Sequence, residues 1–260
     1  MRPLALRLAL LAAPIVLAAG CASVPTDELT WSSALARSLP MEDAAVVEVA
    51  RFSRHDADGW EPYLVFSGNT PTDYRLDGEA LHAESREGGS GMWRKIRIDV
   101  KRHPVIEWRW RVPPESAGAA SAKSPPVRIS LGFHGDPGKL DVEDRVKLRM
   151  ARAMTVHGLP YASLLYVWRT DLPEGSLYSH AQTERVRHIV VESGEARVGH
   201  WVSVRRNVLE DYRRAFGEEP GDLVAVGVMT DYGDDGSPRR AQYGDIIFQP
   251  GPGAAHAIAR

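Results

Sequence analysis

The chain has 260 residues, 32 basic and 34 acidic side chains, a net charge of −2 and 43% hydrophobic residues. This is the composition of an ordinary globular protein, and its slight acidity argues against bulk attraction to nucleic acid. The one cysteine, Cys21, leaves no pair for a disulfide, and the chain beyond it has neither a thiolate zinc site nor a cysteine nucleophile.

In chain order the leader comes first. Arg2 and Arg7 precede or open an apolar run over 8–19, which Leu17-Ala18-Ala19-Gly20-Cys21 closes. A charged start, a short apolar run and small residues before a cysteine read as a lipoprotein signal peptide over 1–20, with Cys21 as the lipidated N-terminus bearing palmitate-type acyl chains. The run is too short for a hydrocarbon core of about 30 Å, and no later segment is long and apolar enough to cross as a helix. The membrane is therefore an expected partner through lipid alone, and several acyl chains anchor where one does not. Ala22, where aspartate would signal inner-membrane retention, points to the outer membrane facing the periplasm. Residues 21–45 are small and polar and read as a tether with a short helix near 31–38.

From position 46 the pattern turns to short β-like runs: 46–50, 63–67, 73–76, 80–84, 92–100, 105–112, 127–134, 164–169, 187–193, 201–205, 223–230 and 241–248. Gly, Pro, Asp and Asn punctuate them. This predicts one all-β domain over 46–250, an antiparallel jelly-roll-like β-sandwich, with a tail over 251–260. Two helices are inserted. Asp141 caps the first, over 142–157, with Gly158 as its stop and Val142, Val146, Met150, Ala153 and Met154 as its apolar stripe. Asn207 and Glu210 form a capping box for the second, over 208–216, which Gly217 ends.

The central strands alternate. Trp93, Lys95 and Arg97 share one side and Ile96 and Ile98 the other. Glu107, Arg109 and Arg111 oppose Ile106, Trp108, Trp110 and Val112; Arg128, Ser130 and His134 oppose Val127, Ile129, Leu131 and Phe133. If these strands pair, one sheet has an apolar inner side, with Trp108 and Trp110 in the core, and an arginine-rich outer side. That side is either a solvated face with charge pairs such as Glu107 with Arg97, or a binding face using Trp93, Arg97, Arg109, Arg111 and Arg128.

Asp231-Tyr232-Gly233-Asp234-Asp235-Gly236 is the densest acidic cluster. Such a loop is either a turn or, with Asp245 in the following strand, a set of oxygens for calcium, the one cofactor considered. Asp245 interrupts an apolar strand and needs a partner, which arginine or backbone supplies more readily than a cation here, since the loop lacks regular calcium-ligand spacing. The nine histidines show no metal-ligand spacing, and no nucleophile elbow, P-loop or dinucleotide fingerprint occurs.

Val105-Ile106-Glu107-Trp108-Arg109-Trp110-Arg111-Val112, Leu165-Tyr166-Val167-Trp168, Val191-Glu192-Ser193-Gly194, the run from Arg206 to Gly217 and the ending from Met229 to Asp231 and from Ala241 to Ile246 resemble, in that order, the bacterial domain of unknown function 3047 family. The resemblance implies an exported protein with a jelly-roll sandwich of the carbohydrate-binding kind, and no catalytic residue. Three readings remain: a lipoprotein binding a glycan or other envelope polymer, a polysaccharide lyase or hydrolase using Glu107, Tyr166 or His134 as acid or base, and a structural partner in an envelope complex.

Overall fold

Among the described residues the computed structural model has thirteen strands, most of them with apolar side chains at every second position, arranged as a two-sheet β-sandwich. The structure describes residues 33–64, 70–116, 125–154, 157–233 and 236–251. The six-stranded sheet contains β1 (Val47–Ala50), β3 (Asp73–Asp77), β4 (Ala80–Ser85), β6 (Val105–Arg111), β11 (Val202–Asn207) and β13 (Arg239–Gln249). Its order is β11-β6-β13-β4-β3, with β1 also paired to β13. The seven-stranded sheet contains β2 (Trp60–Tyr63), β5 (Gly89–Ile98), β7 (Arg128–Phe133), β8 (Ala162–Arg169), β9 (Leu177–His180), β10 (Thr183–Ser193) and β12 (Leu223–Asp231), in the order β2-β5-β12-β7-β8-β10-β9.

The all-β sandwich is as expected, with two departures. First, β8 and β10 are parallel. Parallel neighbours need a crossover; the connection here carries β9, absent from the expected strands, which folds back antiparallel on the far side of β10. Second, β5 and β7 lie in one sheet and β6 in the other. The single arginine-rich face therefore does not exist: Trp93, Arg97 and Arg128 belong to one sheet, Arg109 and Arg111 to the other.

The inner faces interlock as expected. Trp110, Tyr166, Phe133, Tyr243 and Phe248 are fully buried, and Trp108 stacks on Tyr166 with ring centroids 5.1 Å apart. Trp108 and Trp110 meet edge to face at 5.4 Å, confirming both as core. The helix α3 (Val208–Phe216) has its expected caps: Asn207 accepts from the Glu210 N–H at 3.2 Å, and Gly217 takes the left-handed conformation at φ 68°.

The helix α2 (Val142–Met154) begins as expected, with Asp141 accepting the Asp144 N–H at 2.7 Å. Its apolar stripe is inverted. Val142, Val146 and Met150 are exposed, whereas Leu148 and Ala151 are buried, on the helix that contacts β10. The short helix α1 (Ser33–Ser38) is formed. Residues 41–44, expected as tether, are seated on the domain: Glu42 N–H donates to the Arg97 carbonyl at 2.9 Å, and the His103 ring bonds the Ala44 carbonyl at 2.8 Å. Cys21 and the leader lie outside the described residues.

Candidate functional site: a cleft on the seven-stranded sheet

Strand register lines up side chains in rungs across the outer face of the seven-stranded sheet. One rung reads Glu61, Trp93, Gly227, Ser130, Leu165, His188 and Tyr178, each paired with the next. The neighbouring rung reads Tyr63, Gly91, Met229, Arg128 and Val167. Ser130 sits at the middle of the first rung, with aromatic rings to either side: Trp93, packed on Tyr63 of the neighbouring rung, and the His188–Tyr178 pair. A small strand residue leaves room above the sheet, and Ser130 lies on the floor of the trough between these rings. A cleft of about 650 Å³ lies there, within the usual range of ligand sites. Its floor includes Arg128, Ser130, Ser163, Leu165 and Met229; the β9–β10 hairpin, Ala151 of α2 and the start of the β12–β13 loop wall it.

At one end, Tyr178 and His188 stack flat, with centroids 4.7 Å apart and planes 3° off parallel. The Arg169 guanidinium, held by Asp171 at 2.7 Å, lies 4.9 Å from the centroid of the Tyr178 ring. Burial pushes the His188 ring down to about 3, with the nearby Arg128 charge acting in the same direction. The ring bonds the main chain of Tyr178, while Nδ1 is buried without a hydrogen-bond partner. His180, 6.4 Å from His188, is lowered by burial and then by Arg128. At the other end Tyr63 packs on Trp93 at 4.5 Å, and His157 touches both rings. Burial pushes the Tyr63 phenol up to about 12.

Between these ends Arg128, only 6% exposed, is ion-paired with Asp231. The second carboxylate oxygen, Asp231 Oδ1, is buried and has no hydrogen-bond partner. Asp231 faces Gly89 across the β5–β12 register, and a Cβ at Gly89 would stand 2.2 Å from that oxygen. Gly89 is therefore the residue that lets the carboxylate lie against the sheet.

Of the five residues expected to bind a ligand, Arg128 alone lines the cleft. Trp93 is buried beneath Tyr63 and His157, so it supports the wall instead of offering a platform. Arg97 bonds Asp222 at 2.7 Å. On the other sheet, Arg109 lies 4.8 Å from the Trp201 ring, across a close approach to Gly244, where a Cβ would meet its side chain at 2.3 Å. Arg111 stands two residues along the same strand. Glu107 pairs with Arg205, directly opposite on β11, and not with Arg97.

The acidic set is not brought together either. Asp231 serves Arg128. Asp245, in the other sheet, accepts the Ser53 N–H at 2.8 Å and the Ser53 hydroxyl at 2.5 Å, so its partner is a backbone donor and a hydroxyl. Asp234 and Asp235 lie outside the described residues. Among the described residues no group of three metal-ligating side chains occurs. The sequence did not single out Tyr178 and His180, because β9 has no apolar alternation, nor His188, which lies in an expected strand and meets Tyr178 only across β9 and β10. Gly89, inside a strand and part of the cleft lining, was the available signal.

The family described as protein of unknown function (DUF3047) matches residues 58–247. No curated protein matches the sequence. Among solved structures, the chain is similar to the carbohydrate recognition domain of Emp47p, at 13% identity and a TM-score of 0.43 over 81% of this chain and 100% of that one. It is similar to the family 11 carbohydrate-binding module of the cellulase Lic26A-Cel5E of Clostridium thermocellum, at 7% identity and a TM-score of 0.40 over 81% and 97%. It is also similar to endoglucanase 3 of Trichoderma harzianum, at 10% identity and a TM-score of 0.40 over 79% and 98%. Values this low carry no ligand or activity to this chain.

Proposed function

The chain belongs to the DUF3047 family, and from its cleft we propose that it is a non-catalytic glycan-binding lipoprotein of the cell envelope, anchored by lipid on Cys21. One observation carries the binding reading: the trough over this sheet, with Ser130 and Ser163 on its floor and the rings of Tyr63 and of the Tyr178–His188 stack at its two ends. A sugar ring presents an apolar face to an aromatic ring and hydroxyls to its rim. Ser130, Ser163 and Gln182 offer that rim hydroxyl and amide partners.

Binding is favoured over catalysis because the acid–base candidates lie elsewhere. Tyr166 is buried between the sheets and donates to Asp211 at 2.8 Å; Glu107 and His134 do not line the cleft. His188 does, but a ring titrating near 3 is far from the operating range of a general base.

The test is a glycan array probed with the full acylated chain in detergent micelles, beside Tyr178→Ala and Ser130→Trp. Tyr178→Ala removes a stacking ring, and Ser130→Trp fills the trough. Binding by the wild type and its loss in both variants is expected. Equal binding by Ser130→Trp would move the site off this cleft, and an array with no bound glycan would end the reading.

A further inference from the structure

Resting on that reading, we infer that the cleft selects an uncharged glycan that donates hydrogen bonds through its hydroxyls, and rejects glycans bearing carboxylates, sulfates or phosphates. The inference comes from two features of the described lining residues: their charges cancel, and their buried unmatched polar atoms, Asp231 Oδ1 and His188 Nδ1, are acceptors.

Among the described residues that line the cleft, Arg128 and Asp231 are the charged pair, and each neutralises the other. The basic side chains just behind the wall are engaged as well. Arg169 is held by Asp171, Arg187 by Glu184 at 2.7 Å and Arg185 by Glu218 at 2.6 Å. The histidines at the hairpin end are neutral at ordinary pH, since burial lowers both. An arginine whose charge is already compensated by a carboxylate is a poor clamp for an anionic sugar. Among the described residues an anion entering this trough meets no uncompensated cation and faces Asp231 instead, so it loses hydration without an ion pair in return.

The second feature gives the sign of the preferred hydrogen bonds. Asp231 Oδ1 and His188 Nδ1 are both buried without partners. An ionised carboxylate only accepts, and the His188 ring spends its N–H on the main chain of Tyr178, so Nδ1 presents a lone pair. Two residues of one cleft therefore each lack a donor. A sugar hydroxyl supplies one; a carboxylate, sulfate ester or phosphate diester adds acceptors to acceptors. Both residues lie within electrostatic reach of Arg128, which places the two unmet acceptors along the same stretch of wall.

The experiment is titration calorimetry of the full chain against matched oligosaccharide pairs: manno-oligosaccharide against oligomannuronate, and galacto-oligosaccharide against oligogalacturonate. The neutral member of at least one pair is expected to bind, with its uronate weaker by about 100-fold, the scale on which unpaired buried polar groups separate ligands. Asp231→Asn removes the negative charge, leaves Arg128 uncompensated and adds donors, so the neutral-to-uronate ratio should collapse or reverse. Gly89→Ala, which displaces the same carboxylate without altering its charge, should weaken neutral binding without creating uronate preference. A uronate bound by the wild type as tightly as its neutral partner overturns the inference while leaving the glycan cleft standing. So does an Asp231→Asn chain that folds and keeps the wild-type ratio. Failure of every oligosaccharide to bind would instead remove the glycan reading itself. The wild-type ratio decides the question even if Asp231→Asn does not fold.

Discussion

His188 is a polar ring spent on packing. It is 8% exposed, stacked on Tyr178 and bonded to that residue's main chain, and it lies beside the charge of Arg128. Burial and that charge hold its folded titration near 3, against an ordinary value of 6.5. Below 6.5 the unfolded chain takes up a proton that the folded chain refuses, so stability falls as pH drops from 6.5 toward 3 and is unaffected by this group above 6.5. His188→Phe keeps the stack and removes the titration. The loss of melting temperature between about pH 7 and pH 4 should be shallower in the variant than in the wild type. Parallel curves for the two chains would show that His188 does not sense acid in this way.

At the level of elements, α2 shows how an apolar stripe can be misread. Val142, Val146 and Met150 recur at helical spacing, and so do Leu148 and Ala151 on the opposite side. Only the position of β10 decides which side is buried, and it selects Leu148 and Ala151. Leu148→Ala should therefore cost about 2–5 kcal/mol in a denaturation experiment. Val146→Lys, on the exposed side, should stay within about 0.5 kcal/mol of the wild type. The reverse order of the two losses would restore the stripe read from the sequence. The α3 helix has no such ambiguity, because Val208, Tyr212 and Ala215 form its one buried apolar face and its caps are local.

For the whole molecule, the proposed anchor and the proposed cleft lie in different parts of the chain. Cys21→Ser should abolish acylation, and the protein should leave the membrane fraction for the soluble one. Metabolic labelling with a radioactive fatty acid reads the first change and fractionation the second. A labelled Ser variant would rule out Cys21 as the acylated residue. Outer-membrane sorting is read separately, by density separation of the two membranes, and recovery with the inner membrane alone would reject it. With residues 41–44 seated against β5 and the loop after it, the span free to act as a tether ends before position 41.

What the sequence determined by itself was local. Strand periodicity follows from side chains alternating about the backbone, so the all-β class and the inward faces of Trp108, Trp110, Ile96 and Ile129 were legible from residue order. The caps of α3 and the start of α2 were legible because a cap bonds only the next turn. Strand order was not, since hydrogen bonding between strands depends on chain segments far apart, and it sent β5 and β7 to one sheet and β6 to the other. That separation dissolved the expected arginine face, placed Asp231 and Asp245 on different sheets, and paired Arg128 with Asp231, 103 residues away. The cleft exists only in register: Ser130, Leu165, His188 and Tyr178 line it as neighbours across four strands, and no stretch of sequence contains that row.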